Sequence, residues 1–465
     1  LLLLLGSVFP TATVMAPHLV NLVTISLGST PRPRPGRLLP LLLALLILLA
    51  AACREEAGGD ATPEPQPTAT AAGEAGAAVP PDLAATIQEI KERTAALREL
   101  EPRGATEDRL VTREQAAERL ARELEEDPEL RDPALEDVYQ LLDFIGPEES
   151  LRDLMLRLLQ SQVAGFYIPE EDALYVLQLG GDFDVLEEVT LAHEYVHALQ
   201  DQHFDLDGLD RRVEGDWDAD LALSALVEGD ATVAEFDYLF LHAAAGALRG
   251  MEEDAARAAG ELRSFPPPLV RELQFPYDAG GEFVRRWYRG GGWDAVDALY
   301  ARLPQTTEQI LHPEKYEAGE GPAPVTPPDL AGALGEGWRR AGEGTLGEFT
   351  LRNHLLTQLG GAEARSAAAG WGGGRWALYQ GPDGARVLLA ALAWDTPEEA
   401  AEFMDAYARW LAARSDGEAR PAAAGARWAG NDRSMAALRA GDRTFLVVAD
   451  RAPDLDRVLA AVGGA

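Results

Sequence analysis

With one cysteine in 465 residues, the chain can form no intrachain disulfide. Lysine is nearly missing: Lys91 and Lys315 stand alone, and arginine supplies the other positive charges. Positive charge is scarce altogether, 41 Lys and Arg against 77 Asp and Glu, for a formal net charge of −36. So acidic a chain offers no basic patch to phosphates or anionic lipid headgroups, which excludes nucleic acid as a partner held by charge neutralisation. A membrane-length apolar run is also lacking. Leu38 to Ala52 spans 15 residues, short of the ~20 that a bilayer-crossing helix needs. The glycines from Gly370 to Gly374 are interrupted by Trp371 and followed by no Lys-Ser/Thr pair, so they form no phosphate-binding loop.

A hydrophobic content of 47% is sufficient for true cores, and the length argues for two domains behind a leader. Arg32, Arg34 and Arg37 precede the apolar run, and Ala50, Ala51 and Ala52 stand directly before Cys53. Positive, then apolar, then small is the order of a secretory signal. Small residues leading into a cysteine resemble the bacterial lipoprotein cleavage box, with Ala50 where leucine is commonest. The resemblance implies export and a diacylglyceryl anchor on Cys53 at the outer face of the cell membrane. Residues 1–53 are thus read as the leader, with residues 1–30 set aside as an over-extended start. Residues 54–80, mostly Ala, Gly, Glu, Thr and Pro, read as a flexible tether.

The expected fold class is α+β: a mainly helical domain with a small β-hairpin over residues 81–321, then a separate α+β domain over 330–465. Apolar residues at three- and four-residue spacing predict helices from 81 to about 162. The β-rich runs 163–168 and 173–177 around Pro169-Glu-Glu-Asp172 predict a hairpin. Strong helices are expected over 184–200 and 218–248. The proline-rich stretch 322–328 marks the boundary. Beyond it come a helix near 346–359, strands near 375–380, 386–394, 434–439 and 443–449, and helices near 397–414 and 453–462.

The chemistry concentrates in His193-Glu194-Tyr195-Val196-His197. Residues four apart stack one turn apart on a helix, so the two imidazoles can face one metal ion. Glu194, beside the first ligand, could reach a metal-activated water as general base. Two residues compete to be the third ligand. His203 follows His197 by six residues, a spacing used in zinc sites that turn sharply at a glycine, but Gln200 stands where that glycine is needed. Glu228 lies in the otherwise apolar stretch Leu226-Val227-Glu228-Gly229-Asp230-Ala231, where a cation would offset the cost of burying a carboxylate and Gly229 would admit a neighbouring helix. The missing glycine and the lone carboxylate favour Glu228.

The pair His193-Glu194-x-x-His197 and Glu228-Gly229-x-Ala231 resembles the gluzincin branch of zinc metallopeptidases, whose third ligand is a glutamate on the next long helix. Gly165-Phe-Tyr167, His193 to Phe204, His312-Pro-Glu-Lys-Tyr316 and Gly370-Trp-Gly-Gly373 also resemble a group of bacterial and archaeal surface proteins with this motif and no assigned substrate. The resemblance implies one Zn²⁺ on His193, His197 and Glu228, hydrolysis of a peptide or protein substrate with Glu194 as base, and Tyr277 or His312 as donor to the developing oxyanion. Its rival is a non-catalytic surface module that keeps the fold to bind a protein or envelope ligand; an intact Glu194 argues against it.

Lesser candidates have plainer readings beside them. Asp201, four residues after His197, could orient an imidazole or lie on the surface. Asp205-Leu-Asp207-Gly208-Leu-Asp210 lacks the further acidic residues of a calcium loop. Trp371, Trp376, Tyr379 and Trp394 are expected in the core rather than on a ligand-binding face. His242 and His354 are expected to be packing or surface histidines. Replacing Cys53 by serine should block acylation and move the protein from the membrane to the soluble fraction. Failure of a labelled fatty acid to incorporate into the parent protein would contradict the anchor.

Overall fold

The computed structural model describes residues 25–26, 79–126, 132–162, 165–177, 185–242, 257–415, 420–422, 425–430 and 433–462. Cys53, the apolar run before it and the tether up to residue 78 lie outside these. The first long helix, α1 (Pro81–Arg98), starts on a proline and ends where Glu99 turns left-handed at φ 60°. Its apolar side, including Ile87 and Ile90, is buried. The central pair is α2 (Val185–Phe204) and α3 (Trp217–His242); the expected residues of α3 past 242 lie outside the described part. Both are buried around much of their circumference, as helices at the centre of a layer must be. The fourth, α4 (Pro267–Ala301), tolerates Pro276 and breaks at Gly291–Gly292, where Gly292 has φ 67°.

A small sheet lies against α2. In chain order its strands are β1 (Ile25–Ser26), β2 (Glu107–Val111), β3 (Gly165–Ile168) and β4 (Ala173–Leu177), arranged β1-β3-β4-β2. The expected hairpin is β3–β4, pairing Phe166 with Tyr175 and turning through Asp172 at φ 46°. Two of its neighbours were not foreseen. Strand β2 falls in a stretch read as helical, because Glu-Asp-Arg-Leu-Val has no strand signature of its own and gains its conformation by parallel pairing with β4. Ile25–Ser26, in the stretch set aside, pairs parallel with Phe166–Tyr167.

The second sheet has seven strands in the order β5-β6-β7-β11-β10-β9-β8. These are β5 (Arg339–Thr345), β6 (Trp371–Gln380), β7 (Arg386–Trp394), β8 (Arg420–Ala422), β9 (Gly425–Ala429), β10 (Ser434–Ala440) and β11 (Arg443–Ala449), all antiparallel. The near-continuous apolar run of β7 marks a strand buried on both faces, with helix α6 (Pro397–Arg414) on one side and the helix Ala452–Val462 on the other. Helix α5 (Glu348–Leu355) precedes β6. Edge strand β5 escaped the sequence reading because Arg-Arg-Ala-Gly-Glu-Gly-Thr is almost free of apolar residues; the Trp376 ring lies over Gly342 and Gly344. Trp371, Trp376, Tyr379 and Trp394 are core residues, as expected.

The sheet expected to form a separate unit shares one apolar core with the helices before it. That cluster runs from Val138, Phe144 and Leu158 through Trp217 and Tyr277 to Leu346, Trp371 and Trp410. Polar contacts follow the same seam. Thr307 donates its backbone N–H and its hydroxyl to buried Asp218, and Asn353 of α5 donates to the Pro268 carbonyl and accepts from Arg271 of α4. Among the described residues, no helix is long and apolar enough to cross a membrane.

Two contacts fix α3 among its neighbours. Arg98, fully buried, makes a two-point ion pair with Asp230 (2.6 and 2.9 Å) that Asp297 and the Tyr300 hydroxyl complete. A Cβ on Gly229 would collide with the backbone of Gly280, and one on Gly280 with the carbonyl of Ala225, so α3 and α4 touch backbone to backbone. Gly280→Ala should therefore destabilise the protein by about 1–3 kcal/mol in urea unfolding, the cost of overpacking a closed contact. An unchanged midpoint and slope would contradict that contact.

Candidate metal centre

Helix α2 carries His193 and His197 on one face, one turn apart, with ring centroids 4.9 Å apart and planes at 78°. Glu228 of α3 faces both. Its Oε2 lies 3.2 Å from His193 Nε2 and its Oε1 lies 3.4 Å from His197 Nε2. The three residues are wholly buried, and one ligand atom from each falls within 4.8 Å of the others. His197 Nε2 and Glu228 Oε1 have no hydrogen-bond partner in a region without solvent, a costly arrangement that a cation between them would relieve. Two imidazoles and a carboxylate suit zinc and neighbouring transition metals.

Each histidine is held from behind. His193 Nδ1 meets Glu235 Oε2 at 2.8 Å, and His197 Nδ1 meets Gln200 Oε1 at 2.7 Å. Sequence reasoning found neither partner. Glu235 lies seven residues after Glu228, two turns along the same face of α3, and that periodicity was the available signal. In the sequence Gln200 stands out only as the residue where a glycine is needed. Burial works against charge on His193, yet Glu228 and Glu235 outweigh it and push the imidazole up to about 10. A proton on His193 is one way to balance these carboxylates, and a metal ion is another.

Glu194 is adjacent to the cluster and 1% exposed, and neither of its carboxylate oxygens has a hydrogen-bond partner of good geometry. Burial, reinforced by the charges of Glu228 and Glu235, holds its pKa well above the usual carboxylate range. Strand β3 passes close by. A Cβ on Gly165 would lie 3.4 Å from Thr190 Cγ2 and 3.7 Å from Glu194 Cγ, so a larger residue would crowd the carboxylate.

Of the two candidate oxyanion donors, the structure brings one to the cluster. Tyr277 of α4 is buried, its ring faces His193 at 6.3 Å, and its hydroxyl donates to Glu228. Burial and the nearby Glu228 and Glu194 carboxylates raise its pKa well above the ordinary phenol value. His312 is drawn elsewhere: its Nε2 lies 3.0 Å from Glu348 Oε1 of α5, with Glu314 on its other side. Its candidate role at the metal is not met by this geometry. His203, the rival ligand, lies in the last turn of α2 and donates from Nε2 to the Glu101 carbonyl at 2.8 Å. Gln200 lets the helix continue to Phe204, which carries His203 away from the other ligands. Asp201 orients neither imidazole. It accepts from the Tyr167 hydroxyl (3.1 Å) and from Leu206 N–H (3.1 Å), closing the end of α2. Asp205 caps the next short helix by accepting from Gly208 N–H. His354 packs in the core and donates to the Leu142 carbonyl.

The described residues hold one other convergent acidic group, Glu308, Glu320 and Asp395, and the Lys315 ammonium ion-pairs with all three. The fold and this geometry define an α+β protein with a buried His-His-Glu cluster able to hold a metal ion. Residues 335–459 match a family described as a domain of unknown function (DUF8575), and all three cluster residues lie outside that match. No curated protein and no solved structure matches the chain.

Glu228→Ala removes one of three candidate ligands and should weaken Zn²⁺ binding by more than about 100-fold in chelator competition, whereas His203→Ala should stay within about threefold of the parent. Loss of the metal from the His203 variant alone would reverse the assignment.

Proposed function

We propose that the chain is a zinc metallopeptidase with a zincin-like, mainly helical catalytic region, exported and held at the outer face of the cell membrane by lipid on Cys53. The observation that carries this reading is Glu194. A structural zinc site closes with four protein ligands and needs no base, whereas this cluster has three candidates and a buried, unpartnered carboxylate beside them.

His193 Nε2, His197 Nε2 and an oxygen of Glu228 would hold the ion. When bound, it supplies Lewis-acid activation of water and of the scissile carbonyl. Glu194 takes the proton of the attacking water and passes it to the leaving amine, a task that suits a carboxylate whose pKa burial has raised, since it then holds a proton more readily. Glu235 and Gln200 keep the imidazoles in place. Tyr277, already hydrogen-bonded to Glu228, is the donor nearest to hand for the developing oxyanion. An extended peptide would dock along the outer edge of β3, which in the described residues carries only Ile25–Ser26.

The second reading is a surface module that binds a partner without cutting it. The burial of His193, Glu194, His197 and Glu228 favours it, because no side chain of the cluster is open to solvent. Hydrolysis of a generic unfolded protein separates the two. The zinc-loaded parent should cleave it, and Glu194→Gln should keep about one zinc per chain while losing at least about 100-fold in rate. A zinc-loaded parent without activity would favour the binding module, and full activity in the Gln variant would remove Glu194 as base.

A further inference from the structure

We infer that Gln200 is a positioning residue of the metal centre: one buried amide sets which ring nitrogen of His197 carries the hydrogen and ties the helix of the two histidines to the helix of Glu228. The inference rests on reading His193, His197 and Glu228 as ligands. Gln200 lies three residues after His197, on the same side of α2, and is completely buried. Its Oε1 lies 2.7 Å from His197 Nδ1, and its Nε2 donates to the Val227 carbonyl at 2.9 Å. Val227 is the residue directly before Glu228.

The two contacts determine which way the amide points. Turned over, it would set its oxygen against the Val227 oxygen, acceptor on acceptor, at a fully buried site. The amide NH₂ must therefore face Val227, and the amide oxygen must face His197. An amide oxygen can only accept, so His197 Nδ1 carries a hydrogen. Nε2 is then the nitrogen left to face Glu228 Oε1 at 3.4 Å, and the two atoms make no hydrogen bond to each other. A metal ligand needs that lone pair on that nitrogen. The same amide holds the Val227–Glu228 backbone at a fixed distance from His197, so the second and third ligands move together. Glu235 of α3 holds His193 Nδ1 directly and with a charge, where Gln200 of α2 uses a neutral amide.

The test uses the full-length protein labelled with ¹⁵N at histidine, with His197 assigned by comparison with His197→Asn. In the metal-free parent, Nδ1 of His197 should be protonated. Gln200→Met, similar in shape but without donor or acceptor, should lose that preference and weaken Zn²⁺ binding by about 10–100-fold, the usual cost of removing such a partner. Gln200→Glu restores an acceptor to His197 but loses the donor to Val227, so it should recover the Nδ1 proton and only part of the affinity, a split that a purely structural role would not predict. An unprotonated Nδ1 in the parent, or a Met variant that binds Zn²⁺ as the parent does, overturns the inference. If the parent takes up no Zn²⁺, the ligand reading fails on its own, while the metal-free nitrogen measurement still decides whether Gln200 sets His197. Should the Met variant not fold, the Glu variant decides: an Nδ1 left unprotonated there overturns the proposal, and a retained proton supports it.

Discussion

Burying the Glu228 carboxylate with no exposed surface, between two imidazoles and beneath a tyrosine, is the constraint on which the surrounding structure depends. A lone charge in that position would cost several kcal/mol. The neighbours are arranged to offset that cost through Glu235 and Gln200 behind the histidines and the Tyr277 hydroxyl on the carboxylate. The fold then has to bring three helices close enough for these groups to meet. Gly229 and Gly280 remove the side chains that would hold α3 and α4 apart, and the buried Arg98–Asp230 pair fixes α3 from the other side, two residues past Glu228. Such a pair adds little net stability, but breaking it leaves an uncompensated charge, so it works chiefly to define one arrangement.

The C-terminal sheet takes part in this arrangement without contributing a residue to the cluster. Helix α4, which carries Tyr277, is gripped near its start by the C-terminal residues: Phe349 packs on Phe275 at 4.2 Å, and Asn353 bonds to both Arg271 and Pro268. The start of α3 is held by Thr307 on Asp218, and Thr307 also accepts from Phe349 N–H. The region that matches a domain of unknown function is thus packed into the scaffold that positions Tyr277 and Glu228.

Local signals were readable in the sequence where a pattern belongs to one element. The spacing of His193 and His197, the lone carboxylate in Leu226–Ala231, the hairpin turn at Pro169–Asp172 and the apolar run of β7 each express a single helix, turn or strand. What escaped depends on pairs distant in sequence. Gln200 gains its role from Val227 across a helix contact, Arg98 from Asp230, and β2 from a partner more than sixty residues away. Polar strand β5 has no apolar pattern to reveal it. The proline-rich stretch 322–328 marks a change in local texture, yet a shared core crosses it, because packing is decided by apolar faces and not by the linker between them. His312 looked as promising as Tyr277 by residue type; only the position of Glu348 separates them.

The central claim is that one metal ion is bound by His193, His197 and Glu228. Diffraction from zinc-loaded crystals, recorded on both sides of the zinc absorption edge, tests it most directly. The account predicts a single strong anomalous peak about 2.0–2.2 Å from His193 Nε2, His197 Nε2 and an oxygen of Glu228, with Glu194 beside it and unbonded to it. A peak on His203 or among Glu308, Glu320 and Asp395, or no peak at the histidine pair, would contradict it.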